Sequence, residues 1–241
     1  MTTLAENLQA VRDRIARASI ASGRRPDAVR LLAVSKTFPP GRVEEAFAAG
    51  QLAFGENYVQ EAVDKIADLR DRLMTDGAQA EWHFIGPIQS NKTRPIAENF
   101  AWVHSIERAK VAERLNAARP DNMPPLQVCI QVNVSGEESK SGIAPGDERE
   151  LARVISGLPR LRLRGLMAIP EPTQDPAVTH ERFALLRRLR DGLIADGYDV
   201  DTLSMGMSDD LETAIAEGAT IVRVGTAIFG TRTGLPWRGR V

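Results

Sequence analysis

Apolar residues return along this chain with two periods that alternate. Leu8, Val11 and Ile15 share a face at spacings of four and three, and Thr3 with Glu6 has the form of a capping box, so an opening helix is predicted that stops near Gly23. Short β-branched apolar runs then recur at 29–35, 52–55, 82–86, 101–106, 126–134, 161–169, 201–206 and 220–225. Amphipathic or Ala-rich segments of helical length separate them, at 43–49, 58–73, 108–118, 147–156, 178–195 and 209–217. Alternation of this kind implies βα units and a parallel sheet.

Eight strands with intervening helices over 241 residues fit an α/β fold of the (β/α)8 TIM-barrel type better than an open doubly wound sheet, which stays as the alternative. No G-x-G-x-x-G follows the first strand and no G-x-x-x-x-G-K-[ST] occurs, so the phosphate motifs that open sheets often carry are missing. The most loop-like stretches, 120–125 and 169–176, are short, and residues 1–241 read as a single domain.

Composition removes several classes of function. With 31 Lys+Arg against 32 Asp+Glu the chain is nearly neutral, which argues against a dedicated nucleic-acid binder. A single Cys, Cys129, excludes an intrachain disulfide and favours a reducing, cytoplasmic setting; no Cys/His spacing suggests a metal site. No stretch approaches the ~18–20 apolar residues of a membrane span.

Barrel sites are built from the C-terminal ends of the strands. In the first strand Leu32, Val34 and Lys36 share a face, and Lys36 stands where the strand stops before Phe38-Pro39-Pro40. A lysine there can point into the mouth, although most lysines are simply solvated. In the seventh strand Thr202, Ser204 and Gly206 alternate with Leu203 and Met205, and a helix follows from Ser208-Asp209-Asp210. That turn is a candidate anion site, or merely a helix start in which Asp209 and Glu212 form a capping box. In the eighth strand Ile221, Arg223 and Gly225 face one way and Val222 and Val224 the other, with Thr226 next. An inward Arg223 must meet a carboxylate or a ligand acceptor. A lysine, a phosphate cradle at strands seven and eight, and an inward arginine suggest a phosphorylated aldehyde held as a Schiff base, for which pyridoxal 5'-phosphate (PLP) is the obvious cofactor.

The blocks AVSKTFPP, FGENYVQE, WHFIGPIQSNK, VNVSGEESKSGI, GLMAIP, LSMGMSDDLETAI and VRVGTAIFG resemble the YggS/PROSC family of pyridoxal phosphate homeostasis proteins. The resemblance runs from the first strand to the last. It implies a fold type III PLP-binding barrel similar to the N-terminal domain of alanine racemase, with the cofactor as an internal aldimine on Lys36. It further implies Ser204, Gly206, Ser208, Gly225 and Thr226 at the phosphate and Arg223 at the pyridine nitrogen. Asn57 and His83 would lie near the ring, although Asn57 could instead cap the helix that follows and His83 could be a core residue. Lys140 would be a second cofactor acceptor, an electrostatic guide for phosphate, or a solvated loop charge.

An arginine at the pyridine nitrogen keeps it unprotonated and weakens the ring as an electron sink. A racemase also needs a second acid/base group, which alanine racemase takes as a Tyr from a C-terminal β-domain. Tyr58 and Tyr198 do not obviously replace it. The expected function is therefore non-catalytic PLP homeostasis: buffering, protecting or delivering the cofactor, with PLP-dependent apoenzymes as candidate partners and a monomer as the expected state. A weak PLP-dependent racemase and, more remotely, a cofactor-free Schiff-base aldolase are the competing readings.

Overall fold

The computed structural model describes residues 2–75, 78–137 and 141–231. Among them, eight parallel strands close into a barrel: β1 Arg30–Val34, β2 Ala53–Glu56, β3 Glu81–Phe84, β4 Trp102–Ile106, β5 Leu126–Gln131, β6 Leu161–Met167, β7 Thr202–Ser204 and β8 Ile221–Val224. Each strand pairs with its neighbours in sequence, and β8 returns to β1 with Arg30 opposite Ile221 and Ala33 opposite Val224. Each predicted run supplies one strand. Closure rules out the open sheet.

Period-two alternation sorts the strand side chains into two cores. Leu31, Ala33, Phe54, Phe84, Leu203, Val222 and Val224 face outward and pack under the helices. Leu32, Val34, Ala53, Ile85, Trp102, Cys129, Met167 and Ile221 form a separate cluster inside the barrel. Burying each full-sized aliphatic side chain contributes about 1.5–3 kcal/mol, so a one-residue slip of any strand would be strongly opposed.

The helices are α1 Leu4–Ala21, α2 Pro40–Ala48, α3 Val59–Leu69, α4 Thr93–Asn99, α5 Ala109–Ala118, α6 Glu148–Ser156, α7 Pro176–Ala195, α8 Leu211–Ala216 and α9 Thr226–Phe229. The capping box of α1 forms as expected: the Glu6 amide donates to Thr3 Oγ1 at 3.2 Å and the Thr3 amide donates to the Glu6 carboxylate at 2.7 Å. α1 packs against α2, α8 and α9, and so takes the place in the outer ring that the four-residue α9 is too short to fill. Neither α4 nor α9 is legible as a helical period. α4 is seven residues with Pro95 in its first turn, and only Thr93, Ile96 and Ala97 are buried.

Two further expectations are corrected. α3 ends at Leu69, and a small hairpin, Met74–Thr75 against Ala78–Gln79, follows. α8 begins at Leu211 without the Asp209–Glu212 capping box: Glu212 pairs instead with Arg14 at 2.9 Å, and Asp210 accepts from the Met207 amide at 2.5 Å. Among the described residues no helix is long and apolar enough to cross a membrane.

Candidate functional site

A cavity of about 440 Å³ opens among the C-terminal strand ends, within the size range of small-molecule sites. Val34 and Ile85 give it apolar wall, and Lys36, Asn57, Ser208, Arg223, Gly225 and Thr226 bring polar groups. Six of the nine residues anticipated from sequence therefore line the cavity; the other three, His83, Ser204 and Gly206, do not.

Lys36 is half-buried and follows directly on β1. The turn that presents it is held from below by a buried ionic cluster. Lys65 Nζ, on α3, donates to the Ser35 carbonyl at 2.9 Å, to Glu56 Oε1 at 2.7 Å and to Glu61 Oε1 at 3.0 Å. Ser35 Oγ also donates to Glu56 at 2.7 Å, and the Thr37 amide donates to Glu61 at 2.6 Å. Thr37 has φ 68°, a left-handed conformation that is strained for a β-branched residue. The neighbours of Lys36 on both sides are thus pinned to carboxylates or to Lys65. Burial pushes the Glu56 carboxyl up, against the opposing pull of Lys65.

Asn57 follows β2 and does not cap α3, whose first residue is Val59 after Tyr58. Its Oδ1 is buried and has no hydrogen-bond partner among the described residues. The Asn57 main chain is set by Gly86, where a Cβ would stand 2.1 Å from the Asn57 carbonyl oxygen, so only glycine admits this approach. An orphaned amide oxygen costs about 1–3 kcal/mol when dry, and this one belongs to a residue that lines a cavity.

Ser208 and Thr226 supply hydroxyls from the turns after β7 and β8. At the start of α9 the Ile228 and Phe229 amides both donate to the Gly225 carbonyl, at 3.0 and 2.9 Å, so the amides left for a ligand there are those of Thr226 and Ala227. Arg14, unforeseen from sequence, reaches across from α1, bonding the Ser208 carbonyl at 3.0 Å and Glu212. It both fixes the 207–210 turn and adds positive charge to the cavity wall. The Glu212 hydrogen bond holds the Arg14 guanidinium above its ordinary value, against burial.

Arg223 points inward as the alternation requires, but among the described residues it meets no carboxylate. Its Nη1 donates to the Ser204 carbonyl at 2.6 Å and to Ser204 Oγ at 2.8 Å, and its Nη2 to the Ala168 carbonyl at 2.8 Å. Burial lowers it to about 10, so it stays charged at neutral pH.

Ser204, Gly206 and His83 are corrections to the sequence reading, since none lines the cavity. Ser204 pairs in register with Ile221, two residues before Arg223, and its hydroxyl is taken by Arg223 and by His104 at 2.7 Å. His83 lies opposite Gly55, which lies opposite Val34, one inward layer below Lys36; Ile85 reaches the wall instead. Gly206 has φ +93°, and a Cβ there would stand 2.6 Å from that of Ala214, so glycine is required by the packing of α8. Lys140 lies outside the described residues. Tyr58 and Tyr198 are not on the cavity wall.

The residues present fit PLP group by group: an amine for its aldehyde, hydroxyls, amides and a cation for its phosphate, and a guanidinium for its ring nitrogen, with the Asn57 side chain on the same wall. A closed parallel barrel with this equipment at its C-terminal mouth is a TIM-type barrel with a small-molecule site. The model of the family described as alanine racemase, N-terminal domain, matches residues 5–233. The pyridoxal phosphate homeostasis protein of Pseudomonas aeruginosa is 60% identical over 232 residues, 96% of this chain and 97% of that protein. That of Escherichia coli K12 is 52% identical over 232 residues, 96% and 98% of the two chains. Among solved structures, PipY of Synechococcus elongatus with PLP bound is 37% identical at a TM-score of 0.81, covering 95% of this chain and all of that one. The chain belongs to the alanine racemase N-terminal domain family and, within it, to the pyridoxal phosphate homeostasis proteins.

Proposed function

We propose that this protein binds PLP through the amine of Lys36 and acts as a reservoir that shields the cofactor and releases it to apoenzymes, without turning over amino acids. The observation that carries this reading is the convergence of Lys36, Asn57, Ser208, Arg223 and Thr226 on one cavity. Relatives at 50–60% identity carry the homeostasis name, and a PLP-bound relative shares the barrel, both in keeping with it.

When bound, PLP supplies an electrophilic aldehyde on an electron-withdrawing ring. Lys36 is the nucleophile for that aldehyde, held in place by the pinned main chain of Ser35 and Thr37. Ser208, Thr226 and the amides opening α9 receive the phosphate, with Arg14 as the nearby cation. Arg223 donates toward the ring nitrogen and keeps a proton off it, which disfavours carbanion chemistry. Among the described residues the cavity wall holds no Tyr, His or Cys, and Asp209 is its one carboxylate that could serve as a second acid/base partner to Lys36.

The test pairs retention with exchange. PLP should stay with the protein through gel filtration and be lost in Lys36→Ala, while α-hydrogen exchange of amino acids in deuterated water stays at background. Turnover that depends on Lys36 would replace the carrier by an enzyme; no retention in the wild type would remove the reading.

A further inference from the structure

Beneath the cavity the barrel interior carries a file of hydrogen bonds that runs from one mouth toward the other. Glu81 Oε1 lies 2.6 Å from His83 Nε2, His83 Nδ1 lies 2.9 Å from His104 Nε2, and His104 Nδ1 lies 2.7 Å from Ser204 Oγ. Ser204 Oγ is in turn 2.8 Å from Arg223 Nη1. His83, His104 and Ser204 have no solvent exposure. The Glu81 end opens on a second cavity of about 760 Å³ at the N-terminal mouth, beside Arg30, Trp102 and Arg164.

The ends of this file dictate where every proton in it sits. A guanidinium only donates, so Ser204 Oγ accepts from Arg223 and has its one proton to give to His104 Nδ1. His104 then carries its own proton on Nε2 and donates to His83 Nδ1. His83 likewise carries its proton on Nε2 and donates to the Glu81 carboxylate, which Arg30 also binds at 2.7 Å. Each donor meets one acceptor, and no other arrangement of neutral rings satisfies all four links. A proton added to His104 Nδ1 would strand the Ser204 hydroxyl, and one added to His83 Nδ1 would face the His104 N–H.

We infer that His104, supported by His83 and Glu81, is a positioning residue for Arg223: by accepting the Ser204 proton it turns the Ser204 oxygen toward the guanidinium and fixes which hydrogens remain for the cavity. Of the five guanidinium hydrogens, two on Nη1 go to Ser204 and one on Nη2 goes to Ala168. One on Nη2 and the one on Nε are left to meet a ligand. Burial first, and then the standing charges of Arg223 and Arg30, hold His104 well below the usual histidine range. Burial also lowers His83, opposed by Glu81.

The proton order is independent of PLP; the positioning role rests on the proposed function. Nitrogen-15 NMR of the cofactor-free wild type should find His83 and His104 neutral at pH 7 and protonated on Nε2 alone. An Nδ1 proton or a charged ring on either would overturn the inference. In PLP-loaded protein, His104→Phe should weaken retention about tenfold, the effect of one charge-assisted hydrogen bond, and shift the visible absorption. His104→Asn, whose Oδ1 can accept at the place of Nδ1, should recover most of both. Should His104→Phe not fold, Ser204→Ala takes its place and should reproduce the loss. Wild-type-like retention and spectrum in a folded His104→Phe or Ser204→Ala would overturn the positioning role alone, whereas a wild type that retains no PLP would take the proposed function with it.

Discussion

Lys65 Nζ donates at 2.9 Å to the carbonyl of Ser35, so a buried ammonium on α3 grips the main chain one residue before Lys36. The same ammonium bridges Glu56 and Glu61, and Glu61 in turn holds the amide of Thr37 one residue after it. Removing one partner of a buried pair leaves uncompensated charge, at a typical loss of about 3–5 kcal/mol. Lys65→Met is expected to lose stability in that range by urea denaturation and to loosen PLP retention with it. A loss below about 1 kcal/mol would mean that the cluster does not hold the turn.

Asn57 separates binding from folding. Its Oδ1 is buried without a partner among the described residues, so Asn57→Ala is expected not to lower the stability of the cofactor-free protein. PLP retention, compared by equilibrium dialysis, should fall by roughly five- to thirtyfold, as for the loss of one hydrogen bond of about 1–2 kcal/mol. Unchanged retention would remove Asn57 from the binding site.

Acidification should weaken the fold through the interior histidines. Burial holds His83 and His104 below the ordinary value of 6.5 in the folded protein, with Arg30 and Arg223 acting in the same direction and Glu81 opposing at His83. As pH falls past about 6.5 the unfolded chain takes up protons that the folded one refuses, so stability present above that pH is lost below it. Denaturant midpoints measured between pH 7.5 and 5.5 should decline, and less steeply in His104→Asn. A flat or rising profile would contradict neutral, file-bound imidazoles.

Cys129 lies in the inner cluster, fully buried, and burial pushes its thiol up to about 12. It should resist disulfide-exchange reagents at pH 8 in the native protein and react promptly in denaturant. Rapid native labelling would mean that the barrel interior opens.

Strand alternation made the barrel and the inward direction of Lys36 and Arg223 legible, because side-chain period is a local property of the backbone. Depth along the barrel axis is not local. Ser204 and His83 face inward as read, yet inter-strand register places Ser204 level with Ile221 and His83 level with Val34, one inward layer below Arg223 and Lys36, and neither lines the cavity. The support of Lys36 was hidden for a related reason. Glu61 and Lys65 have the four-residue spacing of an ordinary surface pair, and only the docking of α3 buries them. His104 carried no motif at all; its one signal was its place two residues after the inward-facing Trp102.

The most direct test of the account is borohydride reduction of the PLP-treated protein followed by peptide mapping. A single pyridoxyl adduct on Lys36, absent from Lys36→Ala, is the expected result. A stable adduct confined to other lysines, or none at all while PLP is present in excess, would contradict it.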